Sequence, residues 1–316
     1  MSNGETRALD LPAAIGRRYP NQGEHGATLR TALEGAYRTF LDAGLGDRDA
    51  LQKLCSPQDA VYWQQLSEVL LADQLQKHSL AAIHPRTGPD LLVDQDGTRI
   101  WIEIVTPEPT NIPEAWLAPG LGVVRAFPHE ALLLRWTAAI AAKASVLLGN
   151  EERPGYLGNG VVGAADAYVV AVNGRLLRSA DGVFPELNGI SQFPFAVEAT
   201  FGVGPMQVHI DRETLKAVGS DHQERFHIPK PNGASVSAYT FLDPAFAAVS
   251  AIWAVDVDES VLLGRVQPMA VVHNPLATNP IPTGLLPAQV EYRAVDKGDH
   301  FQLGHLDGRL AEVRQA

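Results

Sequence analysis

The stretch of residues 88–107 constrains the fold more than any other part of the chain. It contains two apolar segments, 91–93 and 100–105, on either side of the dipeptide Asp96-Gly97. Asp-Gly is typical of a tight hairpin turn, because glycine readily adopts the positive φ that such a turn requires. The stretch therefore predicts two antiparallel strands joined by a short turn.

Two acidic residues stand out in these predicted strands. Asp90 follows Pro89 at the start of the first strand, and Glu103 lies between Ile102 and Ile104 in the second. Alternate residues of a strand share a face, so Glu103 points away from the isoleucines. A carboxylate within an apolar strand is costly unless it is paired or binds a metal ion. The pattern therefore predicts a cationic partner for Glu103.

The hairpin resembles the core motif of the PD-(D/E)XK, or restriction-endonuclease-like, nuclease superfamily. In both, a Pro-Asp pair is followed by a turn between two strands and by a Glu in the second strand. The resemblance implies that Asp90 and Glu103 bind a divalent metal ion. It also implies a lysine two residues after the Glu that helps to activate water, but this chain has Val105 there. Some members carry the lysine on the following helix, where Lys143 is the candidate.

The segments around the hairpin predict the remaining elements of a nuclease-like core. Apolar residues recur at helical spacing over 27–43, 57–78 and 129–148, and the apolar run 167–172 predicts a central strand. Glu68 lies in the second of these helices. The resemblance implies that it completes the metal-binding carboxylate group, whereas helical amphipathicity alone is equally consistent with a solvated Glu.

The helix predicted over 129–148 presents a basic stripe. Arg135, Ala139 and Lys143 are spaced four residues apart and therefore share one helix face. By the resemblance, Lys143 orients the attacking water or stabilises charge on the phosphorane, and Arg135 contacts the substrate phosphate. The alternative is a stripe that faces water, which is the usual position of Arg and Lys.

Composition limits the classes of partner and compartment. A net charge of −11 over 316 residues argues against tight, non-specific binding to DNA. The single cysteine, Cys55, excludes an internal disulfide and suits a reducing compartment. The sequence has neither a secretory signal pattern nor an apolar run long enough to cross a bilayer. We therefore expect a cytoplasmic protein without membrane association.

Other catalytic motifs are missing or lack their structural context. Residues 158–163 fit G-x-G-x-x-G, but a helix is predicted before them and a strand after them, the reverse of a dinucleotide-binding unit. The sequence contains no Walker-type phosphate-binding motif and no G-x-S-x-G nucleophile elbow. These patterns give no support to a nucleotide-dependent or serine-hydrolase activity.

The predicted organisation has three parts. Residues 1–26 form a poorly ordered lead-in, and residues 27–175 form an α/β core with a mixed central sheet flanked by helices, like that of restriction endonucleases. Residues 176–316 form a β-rich C-terminal extension packed on the same core. Within the extension, the pattern predicts a strand over 195–202 and a short helix over 211–218.

The expected function is metal-dependent phosphodiester hydrolysis of nucleic acid, with Mg²⁺ or Mn²⁺ bound by Asp90, Glu103 and Glu68. The alternative is a catalytically inactive binding or scaffold protein of the same fold, which Val105 and the net acidity favour. A third interpretation is an α/β protein whose acidic hairpin is coincidental. Homo-oligomers are common among proteins of this superfamily, but no interface pattern in the sequence predicts one.

Overall fold

The structure is a computed structural model that describes residues 10–118, 126–179, 187–298 and 301–307. Its helices are α1 (Leu11–Arg18), α2 (Glu24–Asp42), α3 (Ala50–Leu54), α4 (Asp59–Lys77), α5 (Glu114–Leu117), α6 (His129–Leu148) and α7 (Phe195–Phe201). Its strands are β1 (Ala82–Ile83), β2 (Leu91–Gln95), β3 (Thr98–Val105), β4 (Ala167–Asn173), β5 (Val203–Ile210), β6 (Ala217–Glu224), β7 (His227–Pro229), β8 (Ser235–Ser237), β9 (Ala251–Val255), β10 (Met269–His273), β11 (Val290–Asp296) and β12 (Phe301–Asp307).

The molecule is a mixed α/β protein built on an eight-stranded sheet. The strand order is β1-β2-β3-β4-β9-β10-β11-β12, and β5/β6 and β7/β8 form two separate hairpins. The β3/β4 and β4/β9 pairs are parallel, whereas β2/β3 and β9/β10 are antiparallel. The C-terminal strands thus extend the same sheet that the acidic hairpin begins.

The predicted hairpin is confirmed as β2 and β3. Its two-residue turn has φ values of 53° at Asp96 and 81° at Gly97. Two positive φ angles are the signature of a type I′ turn, whose twist matches that of the flanking strands. The turn fixes the register, in which Leu91 pairs with Ile102. This register sets the positions of Asp90 and Glu103 relative to each other.

The two faces of the sheet bury different sides of β3. Ile100, Ile102 and Ile104 belong to an apolar cluster with residues of α2 and α4. Trp101 belongs to a second cluster, on the other face, with residues of α6 and α7. The predicted alternation of faces is therefore confirmed. It places Glu103 on the side of the sheet that α6 covers.

Among the described helices, α6 alone is long and apolar enough to span a membrane by length and composition. Core helices of soluble proteins pass the same test, and α6 packs its apolar side chains on the sheet. The buried apolar side chains are Leu132, Leu133, Trp136, Ala139, Ile140, Ala144 and Leu147. This packing holds Lys143 in a fixed position above the sheet.

The structure differs from expectation at the N-terminal end. Part of the predicted lead-in forms α1, while residues 1–9 lie outside the described part of the chain. The Asp10 side chain caps this helix by accepting a hydrogen bond from Ala13 N at 3.0 Å. Leu11 and Ile15 are buried in the apolar cluster that includes α4. An eight-residue helix with two core contacts has too little periodicity to stand out in sequence.

Two local predictions in the C-terminal part were wrong. Residues 195–201 form the helix α7, in which every residue is buried, and Gly202 follows as its C-cap with a φ of 64°. A fully buried helix lacks the polar face that produces helical periodicity. Residues 211–218 form no helix: 211–216 form a turn, and 217–218 are the first residues of β6. The Asp211 carboxylate accepts hydrogen bonds from the Glu213 and Thr214 amides, which stabilises the turn.

Candidate active site at the edge of strand β3

The candidate site begins where β2 stops pairing with β3. The chain enters β2 through Gly88, whose φ of 121° is strained for any residue with a side chain. Pairing between the strands ends at Leu91 and Ile102. Beyond this point the Ile104 N–H donates a hydrogen bond to Asp90 Oδ2 at 2.6 Å. The Asp90 side chain thus replaces a strand neighbour and is fixed at the sheet edge.

A second side chain, Gln64 of α4, covers the next part of the same edge. Its Nε2 donates to Ile104 O at 3.1 Å, and its Oε1 accepts from Thr106 N at 2.9 Å. Ser67, one turn later in α4, forms a 2.7 Å hydrogen bond with the Thr106 hydroxyl. These bonds fix the distance between α4 and β3 directly beside Asp90.

Glu103 forms an ion pair with Lys143 of α6. Lys143 Nζ donates to Glu103 Oε1 at 2.6 Å. The Glu103 residue is only 5 % exposed, and its Oε2 has no hydrogen-bond partner in the described part of the chain. A buried carboxylate oxygen without a donor is uncommon and costly. A cation or a proton donor beside this atom would supply the missing partner.

Glu68 reaches the site from the opposite layer. It lies in α4 and is 8 % exposed, and its Oε2 accepts a 2.7 Å hydrogen bond from Gln65 Nε2. Gln65 Oε1 is also buried and lacks a hydrogen-bond partner within the described ranges. Glu68 and Glu103 thus belong to the α4 and α6 sides of the sheet, with Asp90 at the edge between them.

Burial raises the pKa of all three carboxyl groups, and the charge of Asp90 adds to the effect at the two glutamates. Burial, and after it the charge of Asp90, raises the pKa of Glu68 to about 8. The same two causes raise the pKa of Glu103 to about 7, although Lys143 opposes the shift. Burial also raises the pKa of Asp90, despite its hydrogen bond from Ile104. Carboxyl groups that titrate near neutral pH in one cluster are typical of functional sites.

The structure brings together four of the five predicted site residues: Asp90, Glu103, Glu68 and Lys143. Arg135 lies two turns before Lys143 on α6, and none of the described hydrogen bonds or ion pairs joins it to the carboxylates. Its contact with a substrate phosphate stays a prediction. Within the described ranges, no three His, Cys, Asp or Glu side chains are arranged as a metal-binding group.

Several residues of the site were not singled out from the sequence. Gln64 and Gln65 lie one helical turn before Glu68, a spacing that could have indicated them. His84 contacts the site through a 3.0 Å hydrogen bond between its Nδ1 and Asp90 O. Tyr156 lies within electrostatic reach of Glu103 and Asp90. No sequence signal pointed to Tyr156, because its proximity to the site depends on tertiary packing.

The chain matches no protein-family model, no curated protein and no solved structure. The fold and the site together define a mixed α/β protein with two buried glutamates, a partly buried aspartate and a partly exposed lysine at a sheet edge. Function must therefore be argued from the cluster itself.

Proposed function

We propose that this protein hydrolyses phosphodiester bonds of nucleic acid with the help of a divalent metal ion, as the resemblance to PD-(D/E)XK nucleases implies. The observation that carries the proposal is the arrangement at the end of β3. Asp90 directly precedes β2, which pairs with β3, the strand that carries Glu103. Lys143 is bound to Glu103, and the second oxygen of Glu103 has no partner among the described residues.

The donor atoms of the cluster suit a hard divalent cation. Carboxylate oxygens are preferred ligands of Mg²⁺ and Mn²⁺. Mg²⁺ in phosphoryl-transfer sites is usually held by one or two carboxylates, with water and substrate phosphate as the other ligands. Asp90 and Glu103 would therefore suffice, with Glu68 close to Asp90. When bound, the ion would polarise the phosphate and lower the pKa of the attacking water.

Lys143 supplies the positive charge that position 105 lacks. Its ammonium group reaches the Glu103 carboxylate from α6, so the charge lies beside the acidic pair although the β3 residue is Val105. A fixed cation in a partly buried site stabilises negative charge that develops on a phosphate during hydrolysis. This placement supports the role of the lysine that the resemblance assigns to the following helix.

The restriction-endonuclease-like arrangement is part of the proposal. The acidic hairpin, β4 parallel to β3, and α4 and α6 on opposite faces support it. The four additional strands β9–β12 extend the sheet beyond β4. A catalytically inactive protein of this fold is the second candidate, which Val105 favours.

The test is cleavage of labelled single- and double-stranded DNA and RNA with Mg²⁺ or Mn²⁺. We expect the wild type to cleave at least one substrate, and Asp90→Ala, Glu103→Ala and Lys143→Ala to lose this activity. Lys77→Ala removes a half-exposed lysine elsewhere and is the matched control. Equal cleavage by all variants would refute the proposed site. Nucleic-acid binding by the wild type without cleavage would favour the inactive candidate.

A further inference from the structure

The segment 149–163 closes one side of the candidate site. On the α6 side of the segment, Tyr156 N donates to Val146 O at 3.1 Å, within one helical turn of Lys143. On the hairpin side, Val161 packs on Gly88, where an added Cβ would lie 2.7 Å from Val161 Cγ1. Gly88 is two residues before Asp90. We call this segment the site loop, because it runs from the Lys143 side of the cluster to the Asp90 side.

Hydrogen bonds and a tight glycine contact give the site loop a defined shape. Gly149 has a φ of 70°, and a Cβ at this position would lie 2.0 Å from Gly155 N. Asn150 Oδ1 accepts hydrogen bonds from the backbone amides of Glu152 and Arg153, at 3.0 and 2.8 Å. The loop is therefore held against the end of α6 and presents its side chains in fixed positions.

A surface cavity of about 480 Å³, open to solvent, lies between the site loop and the end of α6. Its volume falls within the range of small-molecule binding sites. Of the described residues that line it, Arg153 alone carries a charge, and Tyr156, Asn150 and Asn159 add an aromatic ring and two amides. The exposed neighbour Glu152 does not line the cavity. A ligand inside would meet a cation and an aromatic face.

Tyr156 connects this cavity to the carboxylates. Its side chain is partly exposed and lines the cavity. Burial, and after it the charges of Glu103 and Asp90, raises the pKa of its hydroxyl to about 12. The neighbouring Tyr168 is fully buried and its hydroxyl donates to Lys143 O at 3.4 Å. Because the site loop packs on Gly88 beside Asp90 and bonds the helix that carries Lys143, a group bound against Tyr156 would lie next to a phosphate positioned at the carboxylates.

We propose that this cavity binds the nucleotide adjacent to the hydrolysed phosphodiester, with Tyr156 stacking on its base and Arg153 pairing with its phosphate. The inference rests on the proposed function. Aromatic side chains stack on bases of any identity, and arginine is suited to phosphate by its planar array of donors. A base can reach Tyr156 only when it is unstacked, so the substrate class is single-stranded nucleic acid or a single-stranded end.

The first test measures binding without cleavage. A fluorescein-labelled hexathymidylate is titrated in EDTA by fluorescence anisotropy against the wild type, Arg153→Gln, Tyr156→Leu and Tyr156→Phe. We expect Arg153→Gln and Tyr156→Leu each to weaken binding about tenfold, and Tyr156→Phe to change it less than twofold. For Arg153→Gln, the slope of the logarithm of affinity against the logarithm of salt concentration should be smaller by about one, the value expected for one lost phosphate contact. Arg265→Gln, with the same charge change at another surface site, is the control.

Cleavage by the same variants separates this inference from the proposed function. Cleavage by the wild type and its loss in Asp90→Ala would support the nuclease function. If Arg153→Gln and Tyr156→Leu then both keep wild-type binding and KM, the inference about the cavity is wrong although the proposed function is supported. If the wild type binds no oligonucleotide, the inference is also overturned. Circular dichroism and thermal unfolding identify a variant that has lost its fold. If Tyr156→Leu does not fold, the exposed Arg153→Gln decides: wild-type binding by this variant would overturn the inference.

Discussion

Two buried glutamates on the α6 side of the sheet, Glu103 and Glu198, are partnered very differently. Glu198 is 1 % exposed, and one oxygen accepts from both the Ser191 amide and hydroxyl. Its other oxygen pairs with His129 Nε2. Glu103 is similarly buried, but Lys143 is the one partner that the described residues provide for it, and its Oε2 is left without a donor.

The difference distinguishes a structural carboxylate from one that is available for a ligand. A complete set of donors compensates the cost of burying a charge, as it does at Glu198. The same completeness is found at Glu291, whose oxygens bond His273 Nε2 and Gly284 N, each at 2.7 Å. Glu103 has one of these donors, Lys143, and lies within electrostatic reach of the acidic Asp90. A bound cation would supply the partner that its second oxygen lacks among the described residues.

The largest expected effect concerns catalysis. Asp90→Asn and Glu103→Gln should each lower the cleavage rate by about a thousandfold or more, which corresponds to about 4 kcal/mol of transition-state stabilisation. Glu198→Gln should stay within threefold of the wild type, because it lies outside the acidic cluster. Initial rates at saturating Mg²⁺ and substrate measure both. A large loss in Glu198→Gln with an intact fold would remove the distinction between the two glutamates.

The next effect concerns stability, for which a substitution at Glu198 should matter more than one at Glu103. Glu198→Ala should lower the free energy of unfolding by about 3–5 kcal/mol, because His129 Nε2 and the Ser191 amide and hydroxyl lose the acceptor that Glu198 provides. Glu103→Ala should cost less, since Lys143 is partly exposed and can reach water. Urea denaturation followed by circular dichroism gives both values. If Glu103→Ala is the more destabilising substitution, Glu103 is a structural residue.

The pH dependence of stability tests whether Glu68, which belongs to the same site as Glu103, has a raised pKa in the folded protein. Its folded-state pKa of about 8 is above the ordinary value of 4.5, so the folded protein retains a proton that the unfolded chain releases. Stability contributed by this group therefore falls as pH rises from about 5 to 8. Glu68→Gln should flatten this slope and raise the unfolding free energy at pH 8 by about 1–3 kcal/mol. An unchanged slope would contradict the assigned shift.

The smallest expected effect is at Gln64, which positions β3 without belonging to the carboxylate cluster. Gln64→Leu removes its bonds to Ile104 O and Thr106 N and should cost about 1 kcal/mol of stability. Because Asp90 and Glu103 depend on this strand edge, kcat should fall about tenfold with KM unchanged. Gln76→Leu, on an exposed part of α4, is the control. Equal kcat in the two variants would exclude a positioning role.

The elements that sequence predicted well are those with local signals. The Asp-Gly turn fixed the β2/β3 hairpin and hence the faces of Ile102 and Glu103. The helix carrying Lys143 has a clear apolar stripe and was predicted with the bounds that α6 has. Asp90, Glu103, Glu68 and Lys143 could be proposed together because the motif that they resemble is defined largely by such local features.

The remaining features depend on contacts between distant parts of the chain. The all-buried α7 was mistaken for a strand because burial on every side removes its periodicity. The pairing of β4 with β9 joins residues that are about eighty positions apart, and no local pattern specifies it. Tyr156 carries no motif, so its proximity to the site becomes visible only when the site loop is in place, and the spacing of Gln64 from Glu68 does not reveal its bonds to β3.

The most direct test of the central claim is calorimetric titration of Mg²⁺ and Mn²⁺ into the wild type, Glu103→Gln and Glu198→Gln. If the incompletely partnered glutamate is a metal ligand, the wild type and Glu198→Gln should bind with equal affinity, and Glu103→Gln should lose binding. The affinity should rise with pH through 7–8, because the cation competes with protons on Glu103 and Glu68. No binding by the wild type at millimolar metal, or equal binding by Glu103→Gln, would contradict the account.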